Sequence, residues 1–220
     1  MTTLAALHHW LRARLGPDGE MKGGADTEVQ RLALALDPAD LPDVPPATAL
    51  WLHRSRRAGE RFGGWPRLNS HDGFDHALTT GENWRLAQAL GWQDAQRLGL
   101  TRAVGLIATP PQTGWNGLLS TLDAEFGGHE ELLEPETPQV SRVALVNAMR
   151  PEVLAEVAAQ GVQVYVTGQW RPGARPEAAR LGLGVIALGH RRTERWGLRQ
   201  LARELGDAFP GLECAVYGEP

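Results

Sequence analysis

The sequence predicts an α/β fold in which helices cover the faces of β-sheets. Short apolar runs typical of strands alternate with segments of helical periodicity, and turns rich in Gly and Pro separate them. The chain has 220 residues, of which 42% are hydrophobic. That length allows one large domain, or two small ones, with a sizeable core.

The first hundred residues contain two predicted helices and two predicted buried strands. A helix over Leu4–Leu15 stops at a Gly-Pro-Asp-Gly turn, and residues 80–83 open a second helix that runs to about residue 90. Residues 29–36 favour a strand over a short amphipathic helix, and residues 47–53 form an apolar strand. The arginine-rich segment 54–66 has little periodicity, so we predict an exposed, mobile loop there.

Strands and helices alternate regularly in the second half of the chain, which supports the α/β class. The predicted elements, in chain order, are strand 102–108, helix 114–126 capped by Thr113, strand 140–147, helix 151–160, strand 162–166, helix 176–181, strand 184–188, helix 191–205 ending at Gly206, and strand 213–217.

Composition and charge exclude several classes of protein. The net charge of −4 and the isoelectric point near 6.0 argue against a nucleic-acid-binding surface. No apolar run approaches the ~20 residues of a membrane span, and the N-terminus lacks the pattern of a signal peptide. Cys214 is the only cysteine, which rules out an internal disulfide and a thiolate metal cluster. We therefore expect a cytoplasmic protein in which any bound metal is held by His, Asp and Glu.

Two short motifs place a histidine four residues before a carboxylate, each after a predicted strand. The first, Ser-His-Asp-Gly-Phe-Asp, contains His71 and Asp75, and the second, Gly-His-Arg-Arg-Thr-Glu, contains His190 and Glu194. Imidazole and carboxylate suit hard and borderline divalent metals, and ligands converge at the ends of buried strands. Because His190 and Glu194 lie four residues apart where a helix begins, their side chains share one helix face.

His53, at the end of its strand, joins Asp75, His190 and Glu194 in a candidate metal site of two imidazoles and two carboxylates. A bound metal lowers the pKa of water and so generates a nucleophile, which suits hydrolysis of a C–N bond or a phosphoester. Taken alone, each residue also has a structural explanation. His53 fits a core or surface histidine, Asp75 a helix cap or turn residue, and Glu194 a solvated helix residue. These residues by themselves leave both interpretations open.

The order of the motifs along the chain resembles that of a known protein family. A strand ends in His53, a second strand precedes His71 and Asp75, Gly-Glu-Asn opens a helix, Val-Thr-Gly follows a strand, and a helix opens at the motif of His190 and Glu194. This order resembles the Nif-three-like family of dinuclear metal-centre proteins, often labelled GTP cyclohydrolase 1 type 2 homologues. The resemblance covers most of the chain from about residue 29 onward, and the last motif is its most specific part.

The resemblance implies two α/β lobes with mixed sheets, which we place at residues 1–100 plus 190–220 and at residues 101–189. It also implies a homohexamer whose metal sites face an interior cavity. The cofactor it implies is one or two divalent ions, with zinc, iron and manganese all compatible with nitrogen and oxygen ligands.

The resemblance also implies a role for each candidate residue. Asp75, His190 and Glu194 match the family's ligands directly, and His53 matches one member of a His-His ligand pair. His71 matches a histidine near the site, which makes it a candidate acid/base group or a residue that orients a ligand.

The sequence departs from the family pattern at two positions near the expected site. The His-His pair is His53-Arg54 here, and an arginine guanidinium cannot ligate a metal. After Val-Thr-Gly, Gln169 begins a segment without the family's acidic residue and nearby histidine. A single ion, a weakened pair and a site without metal are all compatible with these departures. Arg54 either provides a fixed cation for a phosphorylated ligand or points to solvent beside neighbouring arginines.

Two hypotheses about function follow. The first is a metal-dependent hydrolase that acts on a C–N bond or phosphoester of a nucleotide-like small molecule. The second is a non-catalytic relative with a degraded metal site, which binds a ligand or a protein as a ring. The expected partners are further copies of the chain and a nucleotide-like molecule, whereas a membrane and a nucleic acid are not expected.

Overall fold

The chain folds into two compact α/β units. The computed structural model describes residues 1–43, 45, 47–59 and 61–218. One unit consists of Met1–Phe74 and the C-terminal segment from Arg195, and the other consists of Asp75–Glu194. Each unit contains a mixed β-sheet with helices, which confirms the predicted α/β class with two α/β lobes. The predicted lobe boundaries differ from these units, because residues 75–100 and 190–194 belong to the second unit.

The described residues form seven α-helices and eleven strands. The helices are α1 (Leu4–Leu15), α2 (Asp72–Leu78), α3 (Trp84–Ala89), α4 (Trp115–Phe126), α5 (Pro151–Ala158), α6 (Arg175–Arg180) and α7 (His190–Ala208). The strands are β1 (Glu20–Lys22), β2 (Arg31–Ala35), β3 (Ala49–Leu52), β4 (Arg67–Asn69), β5 (Gln93–Arg97), β6 (Gly105–Thr109), β7 (Glu131–Leu133), β8 (Val143–Val146), β9 (Val164–Thr167), β10 (Gly184–Ala187) and β11 (Glu213–Val216). The boundary between the two units falls within α2 and α7.

The first unit is built on a sheet of strand order β1-β4-β3-β2-β11. β1 pairs with β4 antiparallel, and the other neighbours pair in parallel. Every residue of β3, and every residue of β2 after Arg31, is buried. Both faces of these central strands are therefore covered, which explains why their sequences are continuously apolar rather than alternating.

The segment after β3 differs from its prediction as an exposed loop. Ser55–Ala58 forms a 3-10 helix, and Ala58 and Phe62 are buried against Leu50 and Leu52. Arg61 donates hydrogen bonds to the carbonyl oxygens of residues 38 and 41. The two apolar side chains lie four residues apart, which gave too little periodicity to be recognised. The predicted loop also includes residue 60, which lies outside the described residues.

The second unit is built on a sheet of strand order β5-β6-β8-β9-β10-β7. β8, β9 and β10 are parallel, and the remaining pairs are antiparallel. Side chains of α5 and α6 bury Tyr165, whose hydroxyl donates a hydrogen bond to the Ala148 carbonyl. Two edge strands, β5 and β7, were not predicted: β5 is mostly polar, and β7 has only three residues, too few to show an alternating pattern.

Two predicted helix ends are wrong. The N-cap of α4 is Gly114 rather than Thr113, and the adjacent amide of Trp115 instead donates to the Pro138 carbonyl. Helix α7 continues past Gly206 to Ala208. Its last turn is followed by Phe209, whose ring makes an edge-to-face contact with Trp10 at a centroid distance of 6.1 Å. This tertiary contact outweighs the weak helix-ending preference of a glycine.

The single cysteine provides a test of the packing around β11. Burial raises the pKa of the Cys214 thiol to about 11, from an ordinary value of 9.0. The thiolate is the reactive form, so at pH 8 iodoacetamide should alkylate the native protein about 100-fold more slowly than the urea-unfolded protein. The native rate should keep rising with pH up to about 11. A native rate that levels off near pH 9 would contradict the predicted burial.

Candidate metal centre

His53 enters the candidate site directly from the central strand β3. Its amide donates to the Ala35 carbonyl at 3.1 Å, so the ladder with β2 extends one residue beyond the strand. Because side chains alternate along a strand, His53 and Trp51 lie on the same face. Their rings are nearly parallel at a centroid distance of 6.4 Å. Only 1% of His53 is exposed, which fixes its imidazole inside the unit.

His71 lies at the start of α2, where the helix is capped by a residue far away in sequence. The Asp18 carboxylate accepts hydrogen bonds from the Ser70 hydroxyl at 3.1 Å, the His71 amide at 3.1 Å and the Gly73 amide at 3.3 Å. The His71 and Gly73 amides lie at the N-terminus of the helix, where amides lack a partner within the helix. Asp18 therefore sets the position of His71 from the turn after α1.

Gly73 allows α2 to approach the end of α1 closely. A β-carbon at this position would lie 1.9 Å from the Leu15 carbonyl oxygen and 2.6 Å from Oδ1 of Asp18. No side chain fits in this space without a backbone shift. The glycine of the Ser-His-Asp-Gly-Phe-Asp motif is thus required for helix packing, and this packing positions the residues on either side of it.

Aromatic contacts hold the two imidazoles together. The His53 and His71 rings stack at a centroid distance of 4.3 Å, with 13° between their planes. The Phe74 ring lies 4.9 Å from the His53 ring and 5.1 Å from the Trp51 ring. The aromatic rings of Trp51 and Phe74 restrict the rotation of the His53 ring.

His53, His71 and Asp75 together form a candidate metal site. One ligand atom from each of the three lies within 4.8 Å of those of the other two. Two ligands bound to one zinc ion at about 2.0–2.2 Å are about 3.3–3.6 Å apart in a tetrahedron, so a shared ion would require the three side chains to draw closer together. Two imidazoles and a carboxylate are also a chemically suitable donor set. The residues present therefore fit a divalent ion.

The local structure corrects one prediction about Asp75. The sequence predicts no helix around Asp75, but the residue lies inside α2, which begins at Asp72. His71 immediately precedes this helix, and Asp75 lies one turn along it. Residues four apart share a helix face, which explains why the His-x-x-x-Asp spacing brings the two side chains together.

His190 and Glu194 form a second group at the start of α7. The helix begins at His190, as the motif predicted, and Nε2 of His190 lies 3.1 Å from Oε1 of Glu194. Glu194 is fully buried, whereas 54% of the His190 side chain is exposed. The role of this pair as metal ligands stays a prediction.

The glycine of Val-Thr-Gly explains how the chain approaches α7 within the second unit. The Gly168 amide donates to the Thr80 hydroxyl at 3.1 Å. A β-carbon on Gly168 would lie 2.9 Å from Oγ1 of Thr193, in the first turn of α7. The motif therefore reflects close packing of backbone against a helix. The predicted opening of α3 is confirmed nearby in sequence, because Asn83 caps that helix by accepting from the Leu86 amide.

A cavity of about 570 Å³ in the first unit adjoins the two imidazoles. Its lining combines both histidines with arginines, acidic residues and neutral polar side chains: Asp18, Glu20, His53, Arg54, Ser55, Arg56, Arg57, Asn69, His71 and Asp72. Its volume falls within the ~300–1,000 Å³ typical of small-molecule sites. Asp18 and Asn69 were not predicted as site residues, because an aspartate in a turn and an asparagine at a strand end give no local sign of a site.

One arginine of the cavity wall is held by an ion pair. Nη1 of Arg57 lies 2.8 Å from Oδ2 of Asp37. Burial acts to raise the pKa of Asp37, but the Arg57 hydrogen bond, an amide hydrogen bond and the charges of Arg57 and Arg54 outweigh it. The net result is a pKa below the ordinary value, so Asp37 remains a carboxylate that holds Arg57.

Comparison with known proteins identifies the family. The family model described as Duf34/NIF3 (NGG1p interacting factor 3) matches residues 68–219, more than half of the chain. This chain belongs to the Duf34/NIF3 family. The match confirms the predicted resemblance to Nif-three-like proteins. Its range includes His71, Asp75, His190 and Glu194, and it begins after His53.

Individual relatives support the same assignment for this Duf34/NIF3 protein. A GTP cyclohydrolase 1 type 2 homolog from Chlamydia trachomatis serovar D is 26% identical over 244 residues, covering 96% of this chain and 92% of the relative. Reduced HcgD from Methanocaldococcus jannaschii superposes with a TM-score of 0.77 at 16% identity, over 99% of this chain and 98% of that one. A Bacillus cereus protein related to NIF3 superposes with a TM-score of 0.70 at 13% identity, over 100% of this chain and 97% of that one. The two structures establish a shared fold.

Across the described ranges of this Duf34/NIF3 chain, none of the helices is both long enough and apolar enough to span a bilayer.

Proposed function

We propose that this Duf34/NIF3 protein is a metal-dependent hydrolase that acts on a C–N bond or a phosphoester of a nucleotide-like small molecule. The observation that carries the proposal is the convergence of His53, His71 and Asp75, whose ligand atoms lie within 4.8 Å of one another. The choice of a nucleotide is supported by relatives that are named GTP cyclohydrolase 1 type 2 homolog.

In this proposal, His53, His71 and Asp75 hold a divalent ion such as zinc, iron or manganese. When bound, the ion supplies Lewis acidity and lowers the pKa of water, so that a nucleophile is available near neutral pH. Ring contacts with Trp51 and Phe74 hold His53 in place before any ion binds, which reduces the ordering cost of binding. The Asp75 carboxylate provides negative charge that offsets the charge of the ion.

His71 combines a ligand position with access to solvent. Its side chain is 53% exposed, and its Nδ1 lies 3.0 Å from Oδ1 of Asp72. A carboxylate only accepts hydrogen bonds, so Nδ1 carries the proton and the lone pair on Nε2 is left for an ion. The predicted acid/base role of His71 stays a prediction beside this ligand role.

The proposal also includes His190 and Glu194 as metal ligands, on the basis of the family resemblance and their shared helix face. Because Arg54 replaces one histidine of the family's pair, both one ion and two ions are consistent with the donor set. The assembly we propose is a cytoplasmic homo-oligomer, and the family resemblance favours a hexamer.

The proposal is tested by the metal content and the activity of the same sample. The protein is purified without chelators or an affinity tag, and zinc, iron and manganese are measured per chain by mass spectrometry. Release of hydrolysis products from GTP and other nucleotides is then followed by chromatography. We expect one or two equivalents of metal, and turnover that disappears after dialysis against a chelator and returns with the ion.

The possible outcomes separate the two hypotheses of function. Two equivalents that fall to one in His190→Ala would support a second ion held by His190. Stoichiometric metal without turnover of any nucleotide would favour the non-catalytic relative. An absence of metal after incubation with all three ions would overturn metal binding itself.

A further inference from the structure

We propose that a second cavity, in the unit formed by Asp75–Glu194, binds an oxyanion group of a small molecule, phosphate or carboxylate, through Arg150 and Arg171. The cavity has a volume of about 590 Å³ and is lined by residues 147–151, 169 and 171–174. Its volume falls within the ~300–1,000 Å³ typical of small-molecule sites. The inference goes beyond the proposed function, because it requires neither a metal ion nor a hydrolytic reaction.

The cavity lies at the carboxyl ends of two neighbouring parallel strands. β8 ends at residue 146 and β9 at residue 167, and the two lining segments begin one and two residues later. In open α/β sheets, the crevice outside the carboxyl ends of the strands is where ligands bind. The fold therefore brings both arginines to an edge of the sheet that suits ligand binding.

The charges of the lining favour an anion. Arg150 and Arg171 are its charged residues, and none of the described residues that line it is acidic. Within the described residues, neither guanidinium takes part in an ion pair or a hydrogen bond. The acidic residue closest in sequence to Arg150, Glu152, lies 3.8 Å from Arg102 and does not line the cavity. The cavity wall is therefore positively charged, which an oxyanion would neutralise.

Both arginines are attached to ordered backbone. Arg150 is the N-cap of α5, Arg171 is the N-cap of a 3-10 helix at Pro172–Ala174, and a proline follows each of them. The Arg171 amide donates to Sδ of Met149 at 3.4 Å, which joins the two segments of the lining. Because these segments are already ordered, less entropy is lost when a ligand binds.

Neutral donors accompany the two guanidinium groups. Oδ1 of Asn147 accepts from the Val104 amide at 3.0 Å, which leaves its amino group as a donor. The Arg150 side chain has no acceptor and makes no capping hydrogen bond, so it does not satisfy the first amides of α5. Amides at a helix N-terminus also favour an anion.

Arginine suits both kinds of oxyanion. Its planar guanidinium presents N–H donors in a fork that binds two oxygens of a phosphate or a carboxylate at once, and its charge persists across the physiological pH range. The shared chemistry of the ligand is therefore a pair of negatively charged oxygens, and two probes distinguish its source.

The probes that test this inference are pyrophosphate and succinate, titrated into the full chain by isothermal calorimetry at constant ionic strength. The test variant is the Arg150→Gln/Arg171→Gln double substitution. The control is Arg97→Gln/Arg142→Gln, which removes the same two charges from exposed arginines of the same unit that do not line this cavity. Arg142 also precedes β8, at the opposite end of that strand.

Two further samples separate anion binding from metal binding and from folding. Each titration is repeated after dialysis against a chelator, because pyrophosphate also binds metal ions. An Arg150→Lys/Arg171→Lys variant keeps both charges but lacks the guanidinium fork, so its affinity should lie between those of the wild type and the glutamine variant. The thermal midpoint is measured for every sample.

We expect the wild-type protein to bind a probe both with and without metal. The glutamine variant should bind it at least about 10-fold more weakly, because charge-assisted hydrogen bonds are lost, whereas the control should stay within about twofold of the wild type. Tighter binding of pyrophosphate would assign a phosphorylated ligand, and tighter binding of succinate a carboxylate. This result would stand even if the proposed hydrolase fails.

Four outcomes would each overturn the inference. They are an unchanged affinity in the glutamine variant, an equal loss in the control, binding that disappears with the metal, and no binding of either probe by the wild type.

Discussion

Replacing Gly73 by alanine is expected to destabilise the protein by about 3 kcal/mol or more, at the upper end of the usual cost of overpacking. The added carbon would lie 1.9 Å from the Leu15 carbonyl oxygen, and that atom belongs to backbone that cannot rotate away. Relief requires α2 to move away from α1, which would also break the hydrogen bonds that the His71 and Gly73 amides donate to Asp18. Urea unfolding of the protein followed by circular dichroism measures the loss.

Gly64→Ala is the matched control for this substitution. Gly64 is exposed in the same unit and does not adopt a positive φ, and a β-carbon added there would have no heavy atom within 4 Å. The same methyl group there should leave stability unchanged or raise it by up to about 1 kcal/mol. If the Gly73 and Gly64 variants unfold at the same urea concentration, the close contact between α1 and α2 is incorrect.

Replacing His53 or Asp75 is expected to remove most of the metal. His53→Ala deletes one donor of a three-residue set and Asp75→Asn removes the charge of another, and we expect metal affinity to fall by about 100-fold or more, beyond the 10–100-fold typical of residues that only orient ligands. Asp75→Asn nearly preserves the side-chain shape, so its effect reports the lost charge rather than a cavity. Competition for zinc with a coloured chelator measures the affinity.

An exposed histidine provides the control for the ligand variants. His9→Ala removes an imidazole from the solvent-exposed face of α1 and should leave zinc affinity unchanged. Zinc affinities of the His53 and Asp75 variants that match that of the His9 variant would eliminate the three-residue site. His71→Ala distinguishes its two roles, because a ligand variant loses metal and a proton-transfer variant keeps metal but loses turnover.

The elements that local patterns determine were predictable from the sequence. The helix at Leu4–Leu15, the apolar central strands and the helix that opens at His190 all follow from periodicity within a few residues. The elements that were missed or misplaced depend on tertiary partners, which are close in sequence for β5 and far away in sequence for β7 and α7. Strands β5 and β7 exist because neighbouring strands supply their hydrogen bonds. Helix α7 continues past Gly206 to Ala208, next to the contact between Phe209 and Trp10.

The features of the candidate site also divide into those that the sequence predicted and those that depend on the tertiary structure. The sequence by itself determined the α/β class, the family and the residue types able to bind a metal, because these depend on composition and on the order of short motifs. Only the tertiary structure decided that His71 joins His53 and Asp75, and that Arg54 lines a cavity beside them. The reason is physical: Asp18 caps α2 across more than fifty residues and Gly73 permits the helix contact, and long-range contacts of this kind leave no periodic trace in the chain.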